Sequence, residues 1–166
     1  DLILLDKTES DLYELVETIS TNFKVNCLPV CVDLTSDFQT ENMLNELKTK
    51  IKNLNLIVNN AALVPEVSLE DWSGPFEMQT IEMFNKGLKL NLGAPFQIIQ
   101  ALLPRMRDAL NPAIVNIGSI YGHLGPDWRL YRATRMGNSA GYAVSKAGLL
   151  QLTKWLATSL SPNIRV

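Results

Sequence analysis

Leu2-Ile3-Leu4-Leu5-Asp6, followed at once by Lys7-Thr8-Glu9-Ser10-Asp11-Leu12, sets the fold class. A continuous apolar run closed by a carboxylate is the pattern of a strand covered on both faces, as parallel sheets require. Thr8 and Asp11 have the spacing of a capping box, and Leu12, Leu15, Val16 and Ile19 recur with the helical period. The order then repeats. Val25 to Val32 reads as a strand closed by Asp33, and Phe38, Leu44, Leu47 and Ile51 predict a helix entered near Ser36. Leu54 to Val58 predicts a third strand, with a loop rich in Pro and Gly around Pro65 to Pro75. A helical stretch from Ile81 to Met106, a strand from Ala113 to Ile117 and a long polar loop come next. A helix from Ser139 to Leu160 and the opening of another strand at Ile164 to Val166 complete the chain. This alternation predicts an α/β fold, a Rossmann-type doubly wound parallel sheet covered on both faces by right-handed crossovers, in a single domain over residues 1–166.

The bulk properties agree with a packed domain. At 166 residues, with 46% apolar and 19% charged side chains, the chain can build a real core. The net charge of -2 is spread without runs of one sign, which argues against nucleic acid and for a small-molecule partner. No apolar run approaches the roughly 20 residues that cross a bilayer, and the opening apolar run is too short for a signal-peptide core. A cytoplasmic protein without a membrane partner is expected. Cys27 and Cys31 flank Pro29 in a strand that reads as buried, away from any His or Cys at metal-ligand spacing. They are expected to be inert core thiols, and no metal site is expected.

Chemistry concentrates late in the chain. In Tyr142-Ala143-Val144-Ser145-Lys146, positions i and i+4 share one helix face about a turn apart. A phenol titrates near pH ~10, so it works as an acid-base group at neutral pH only when a nearby cation stabilises its phenolate. Lys146 supplies that cation. Upstream, Ile114-Val115-Asn116-Ile117-Gly118-Ser119 is a strand delivering a hydroxyl at its carboxyl end, the edge where open parallel sheets bind ligands. Ser119 is thereby suited to hydrogen-bond a substrate carbonyl.

With Leu56-Ile57-Val58-Asn59-Asn60-Ala61-Ala62 and Leu90-Asn91-Leu92-Gly93-Ala94-Pro95-Phe96, these segments resemble the short-chain dehydrogenase/reductase family in order and interval. The resemblance implies that Tyr142 is the general acid/base, Ser119 the carbonyl partner, and Lys146 both the tuner of Tyr142 and a ligand of the nicotinamide ribose. Asn91 would complete the tetrad by holding, on its backbone carbonyl, a water that links Lys146 to solvent. Pro95 adds an independent reason. It lacks the N–H that the Asn91 carbonyl would accept in a regular helix, so a kink is predicted there. The resemblance also implies that Asp6 reads the adenosine ribose, that Asp33 and Leu34 border the adenine, and that Asn60, Ala61 and Ala62 lie beneath that ribose. Ala62 stands where the family usually has glycine. A carboxylate at Asp6 accepts from two ribose hydroxyls and repels a 2′-phosphate, so NAD is expected, with NADP possible because of Lys7.

Three departures accompany the match. The chain begins after the family's Gly-rich phosphate turn and stops before its Pro-Gly segment, so a domain truncated at both ends is expected. The interval from Ser119 to Tyr142 is longer than the family's usual one and carries His123, Asp127, Trp128, Arg129, Tyr131, Arg132 and Arg135. These side chains suit either an anionic or sugar-like substrate or a plain surface loop. The run Tyr121-Gly122, Pro126, Tyr131, Thr134 and Met136 also resembles family members of surface-polysaccharide and sialic-acid-like sugar pathways. The expected reaction is hydride transfer between a nicotinamide and a carbinol or carbonyl carbon. A sugar-nucleotide epimerase or dehydratase and a catalytically silent nucleotide-binding scaffold are the alternatives. A homodimer or homotetramer is expected, because the helix after Ser139 carries more apolar surface than one core-facing stripe needs.

Overall fold

In the computed structural model residues 1–64, 70–134 and 136–166 are described. The chain divides into two compact units, Asp1–Lys50 and Ile51–Val166.

In the first unit β1 (Leu2–Asp6) pairs in parallel with β2 (Cys27–Cys31), in the register Leu2 with Cys27 through Asp6 with Cys31. Helix α1 (Glu9–Phe23) makes the crossover that parallel strands require, and α2 (Asp37–Lys50) follows β2. Leu12, Val32, Leu34, Met43, Leu44 and Leu47 form the buried apolar set. Several local expectations are corrected. Thr8 precedes α1 without a side-chain cap, and its N–H instead donates to Asp6 at 2.8 Å. The acceptor is thus taken from the end of β1 rather than from Asp11. Phe38 is 75% exposed and Ile51 lies beyond α2, whose inner face is Thr40, Met43, Leu44 and Leu47. That spacing of three, one and three keeps one stripe at the helical period, which Phe38 misses. Cys31 is exposed rather than core, with its thiol against the Lys7 carbonyl, and Cys27 is half-buried.

In the second unit β3 (Leu56–Asn59) pairs in parallel with β4 (Ala113–Asn116), in the register Leu56 with Ala113 through Asn59 with Asn116. A parallel bridge between Ala113 and Arg165 marks the next strand foreseen at 164–166. The stretch Ile81 to Met106 is broken where Pro95 predicts a kink. It consists of α4 (Ile81–Leu88), one π-helical turn (Lys89–Gly93) and α5 (Ala94–Met106). Part of the loop foreseen at 65–75 is ordered instead as α3 (Glu70–Ser73), with Trp72 1% exposed; residues 65–69 lie outside the described set. The long loop after β4 contains two 3-10 turns, Ile120–Gly122 and Trp128–Tyr131, before α6 (Ala140–Leu160). Ile98, Ile99, Leu102 and Met106 of α5, Leu149 and Leu156 of α6, and Ile57 and Ile114 of the strands form this unit's core.

Candidate active site

Helix α6 begins with Ser139, whose hydroxyl accepts the Tyr142 N–H at 2.8 Å, a serine N-cap three residues ahead of its target. That cap puts Tyr142 in the first turn and Lys146 one turn later. The Lys146 ammonium lies 5.8 Å from the centroid of the Tyr142 ring, within the range of a cation against a π-face. It donates to the Ile117 carbonyl at 2.6 Å, its one hydrogen bond among the described residues. Lys146 is 3% exposed, and burial holds its ammonium below the ordinary lysine range.

Asn91 sits in the π-helical turn and is 1% exposed. Its side chain accepts the Leu63 N–H at 2.6 Å and donates to the Leu63 carbonyl at 3.2 Å. It also donates to the Ser145 hydroxyl at 2.9 Å, which in turn donates to the Tyr142 carbonyl at 2.8 Å. One amide therefore ties the segment after β3, which carries Asn60, Ala61 and Ala62, to the first turns of α6. Satisfying its side chain this way leaves only the backbone of Asn91 for other work. The π turn is where that backbone departs from the regular ladder, as such turns often do at functional sites.

Ser119 lies three residues past β4 rather than at its last position. Its hydroxyl accepts the Tyr121 N–H at 3.2 Å and so caps the 3-10 turn Ile120–Gly122, which packs against α6. The Ile117 carbonyl held by Lys146 is two residues before it. Farther along, Tyr121 and Tyr131 hydrogen-bond through their phenols, and this bond raises the Tyr121 phenol above its ordinary value. Trp128 packs against Tyr131 with ring centroids 5.7 Å apart. Arg129 is held by Asp127, whose carboxyl it keeps below the usual range. His123 and Arg132 are exposed, and Arg135 lies outside the described residues.

The first unit carries three of the residues expected from the sequence to border the adenosine. Asp6 is exposed at the end of β1, and Leu34 is buried. The Asp33 carboxylate accepts from the Thr35 N–H at 2.8 Å and hydroxyl at 2.7 Å, a local turn that already occupies one of its oxygens.

Sequence reasoning missed the supports of the site. Ser139 and Ser145 are legible afterwards as a cap three residues before Tyr142 and as the neighbour of Lys146. A second line of amides runs from Asn59 to Asn116 at 2.8 Å and on to Thr153 at 2.8 Å, joining β3, β4 and α6. Nothing local announces that pairing across 57 positions. Among the described residues no cluster of three or more His, Cys, Asp or Glu side chains forms a metal site, and no helix is long and apolar enough to cross a membrane.

The family model described as short chain dehydrogenase matches residues 1–166. The chain belongs to the short-chain dehydrogenase family. It is 29% identical over 166 residues to the post-translational flagellin modification protein A of Campylobacter coli, covering 99% of this chain and 63% of that protein. It is 31% identical over 140 residues to a rhamnolipid-biosynthesis 3-oxoacyl-[acyl-carrier-protein] reductase of Pseudomonas aeruginosa, covering 81% and 48%. The chain thus spans about half to two-thirds of the length of these relatives. Its fold is similar to that of NAD+-bound xylitol dehydrogenase, with a TM-score of 0.78 at 24% identity, covering 99% of this chain and 57% of that one. The Pseudomonas aeruginosa RhlG/NADP complex is equally similar, with a TM-score of 0.78 at 24% identity over 99% and 59%.

Proposed function

We propose that this chain forms the core of an NAD(P)-dependent oxidoreductase acting on a CH–OH or C=O group. The observation that carries the reading is Lys146, buried one turn beyond Tyr142, with its ammonium 5.8 Å from the phenol ring. In this reading the Tyr142 phenol gives a proton to a carbonyl oxygen or takes one from a carbinol, with Lys146 as its neighbour on the same helix face. Ser119 orients the same oxygen through its hydroxyl. A buried ammonium with one acceptor among the described residues is chemically suited to a ribose diol, so Lys146 would hold the nicotinamide ribose beside Tyr142. Bound there, the nicotinamide supplies or accepts the hydride. The backbone carbonyl of Asn91 would hold the water that returns protons to Lys146.

The family resemblance assigns adenosine contacts to Asp6, Asp33 and Leu34 in the first unit and to Asn60, Ala61 and Ala62 in the second. NAD is favoured over NADP by the carboxylate of Asp6. Relatives bear on both choices, since xylitol dehydrogenase carries NAD+ and RhlG carries NADP.

For the substrate we favour a hydroxylated, sugar-like molecule over an anion. Arg129 is already neutralised by Asp127, whereas the Tyr121–Tyr131 phenols and the 57% exposed Trp128 offer hydroxyls and a ring face.

The test is Tyr142→Phe in the whole protein, assayed for turnover over a panel of polyols and ketoses and for NADH binding by fluorescence. Turnover should fall by at least about 10²-fold, the usual scale for a lost proton-transfer group, with NADH affinity nearly unchanged. Retained turnover would remove the assignment.

A further inference from the structure

Residues 71–80 are absent from the resemblance that points to the tetrad, yet they press directly on its most important turn. The N–H of Ala140, the first residue of α6, donates to the Gln79 side chain at 2.9 Å across 61 positions. Gln79 in turn donates to the Gly74 carbonyl at 2.9 Å. Both ends of this amide are thus engaged, which fixes its orientation. The helix that presents Tyr142 therefore has two caps, its own Ser139 and a glutamine brought from elsewhere in the chain.

Trp72 supplies the steric half. Its ring is buried, and its far edge fills a notch between Gly87 of α4 and Gly141 of α6. A Cβ at either glycine would overlap the ring. Gly137 meets the same segment, since a Cβ there would overlap the Ser73 carbonyl. Glycine is a poor helix residue, so its presence at 141, directly before Tyr142, is explained by the ring that occupies the space. The indole N–H of Trp72 has no acceptor among the described residues, so shape rather than a hydrogen bond holds it there. The segment is anchored in turn to α4, through the Thr80 N–H on the Asp71 carbonyl at 2.9 Å and the Thr80 hydroxyl capping Met83 at 3.2 Å.

We propose that Trp72 and Gln79 are positioning residues for Tyr142, setting the tilt of the first turn of α6 and with it the approach of the phenol to Lys146. The proposal rests on Tyr142 being the acid-base group, and its test reads kcat against dinucleotide affinity. Trp72→Leu, Gln79→Met, Gln79→Glu and Gly141→Ala are made in the whole protein and assayed for turnover and for NADH binding. Gln79→Met and Trp72→Leu should lower kcat by about tenfold with NADH affinity nearly unchanged, as the phenol is displaced from its working position. Gln79→Glu keeps the oxygen that accepts from Ala140 and should recover most of the loss. Gly141→Ala should lower kcat when Trp72 is present and add little in the Trp72→Leu background.

An unchanged kcat in Gln79→Met, with near-ultraviolet circular dichroism intact, would overturn the proposal. So would a Gly141→Ala effect that is the same with Trp or Leu at position 72. If Trp72→Leu fails to fold, the two Gln79 variants decide the matter by themselves. Retained turnover in Tyr142→Phe would overturn the catalytic reading, a separate outcome from an unchanged kcat in Gln79→Met.

Discussion

The Lys146 ammonium donates to the Ile117 carbonyl at 2.6 Å, linking the helix that carries Tyr142 to the strand end that leads to Ser119. The position of one cation is thereby fixed by two elements 29 residues apart. Burial lowers this lysine from its ordinary value near 10.5, so the native chain gives up the proton sooner than the unfolded chain. Between the lowered native value and about 10.5 the unfolded state binds more protons, and unfolding free energy should rise with pH there. Below that window the full cost of burying the charge is present. Tyr121, whose phenol is raised by its bond to Tyr131, acts in the opposite sense above its ordinary 10.0. The difference between the wild type and Lys146→Met isolates the lysine. Denaturant unfolding from pH 7 to 10.5 should show the stability of the wild type rising relative to that of Lys146→Met as pH rises; parallel curves would contradict it.

Asn91→Ala removes a side chain that satisfies both backbone groups of Leu63 and the Ser145 hydroxyl. Each buried group left unpaired costs about 1–3 kcal/mol, and water entering the gap recovers part of that. A loss of about 2–4 kcal/mol in urea unfolding is expected. A loss below about 0.5 kcal/mol, the scale of an ordinary surface change, would mean the clamp is dispensable.

Asp6→Ala should weaken NAD more than NADP, because the carboxylate attracts ribose hydroxyls and repels a 2′-phosphate. Titration calorimetry with both dinucleotides reads the ratio. The assignment of Asp6 would be wrong if the wild type already binds NADP more tightly.

Trp155 is 61% exposed on α6 and Phe96 49% exposed on α5, whereas Leu149 and Leu156 already fill the core side of α6. This leaves apolar surface that a second copy would cover in an isologous contact. Trp155→Glu should therefore lower the sedimenting mass of the whole protein at micromolar concentration. A wild type that sediments as a monomer would remove the proposal.

Parallel strands, their crossovers and the break before Pro95 were legible because each depends on neighbours in sequence: an apolar run, a helical period, a missing N–H. The pair Tyr142 and Lys146 was legible for the same reason, since four residues in a helix always return to one face. Thr8, Phe38 and Cys31 were misread where local pattern was ambiguous and the competing partner came from elsewhere: the Asp6 carboxylate, the stripe chosen by Met43, the half-open face of β2.

By itself the sequence determined the alternating α/β order, the family and the shared helix face of Tyr142 and Lys146. Only the tertiary structure decided that Asn91 spends its side chain on Leu63 and Ser145, that Lys146 rests on Ile117, and that Gln79 and Trp72 close over the start of α6. These contacts join residues 28 to 61 positions apart, or depend on a cavity two glycines leave open. A hydrogen-bond partner at that separation has no period to reveal it, because which donor meets which acceptor is fixed only once the helices have packed.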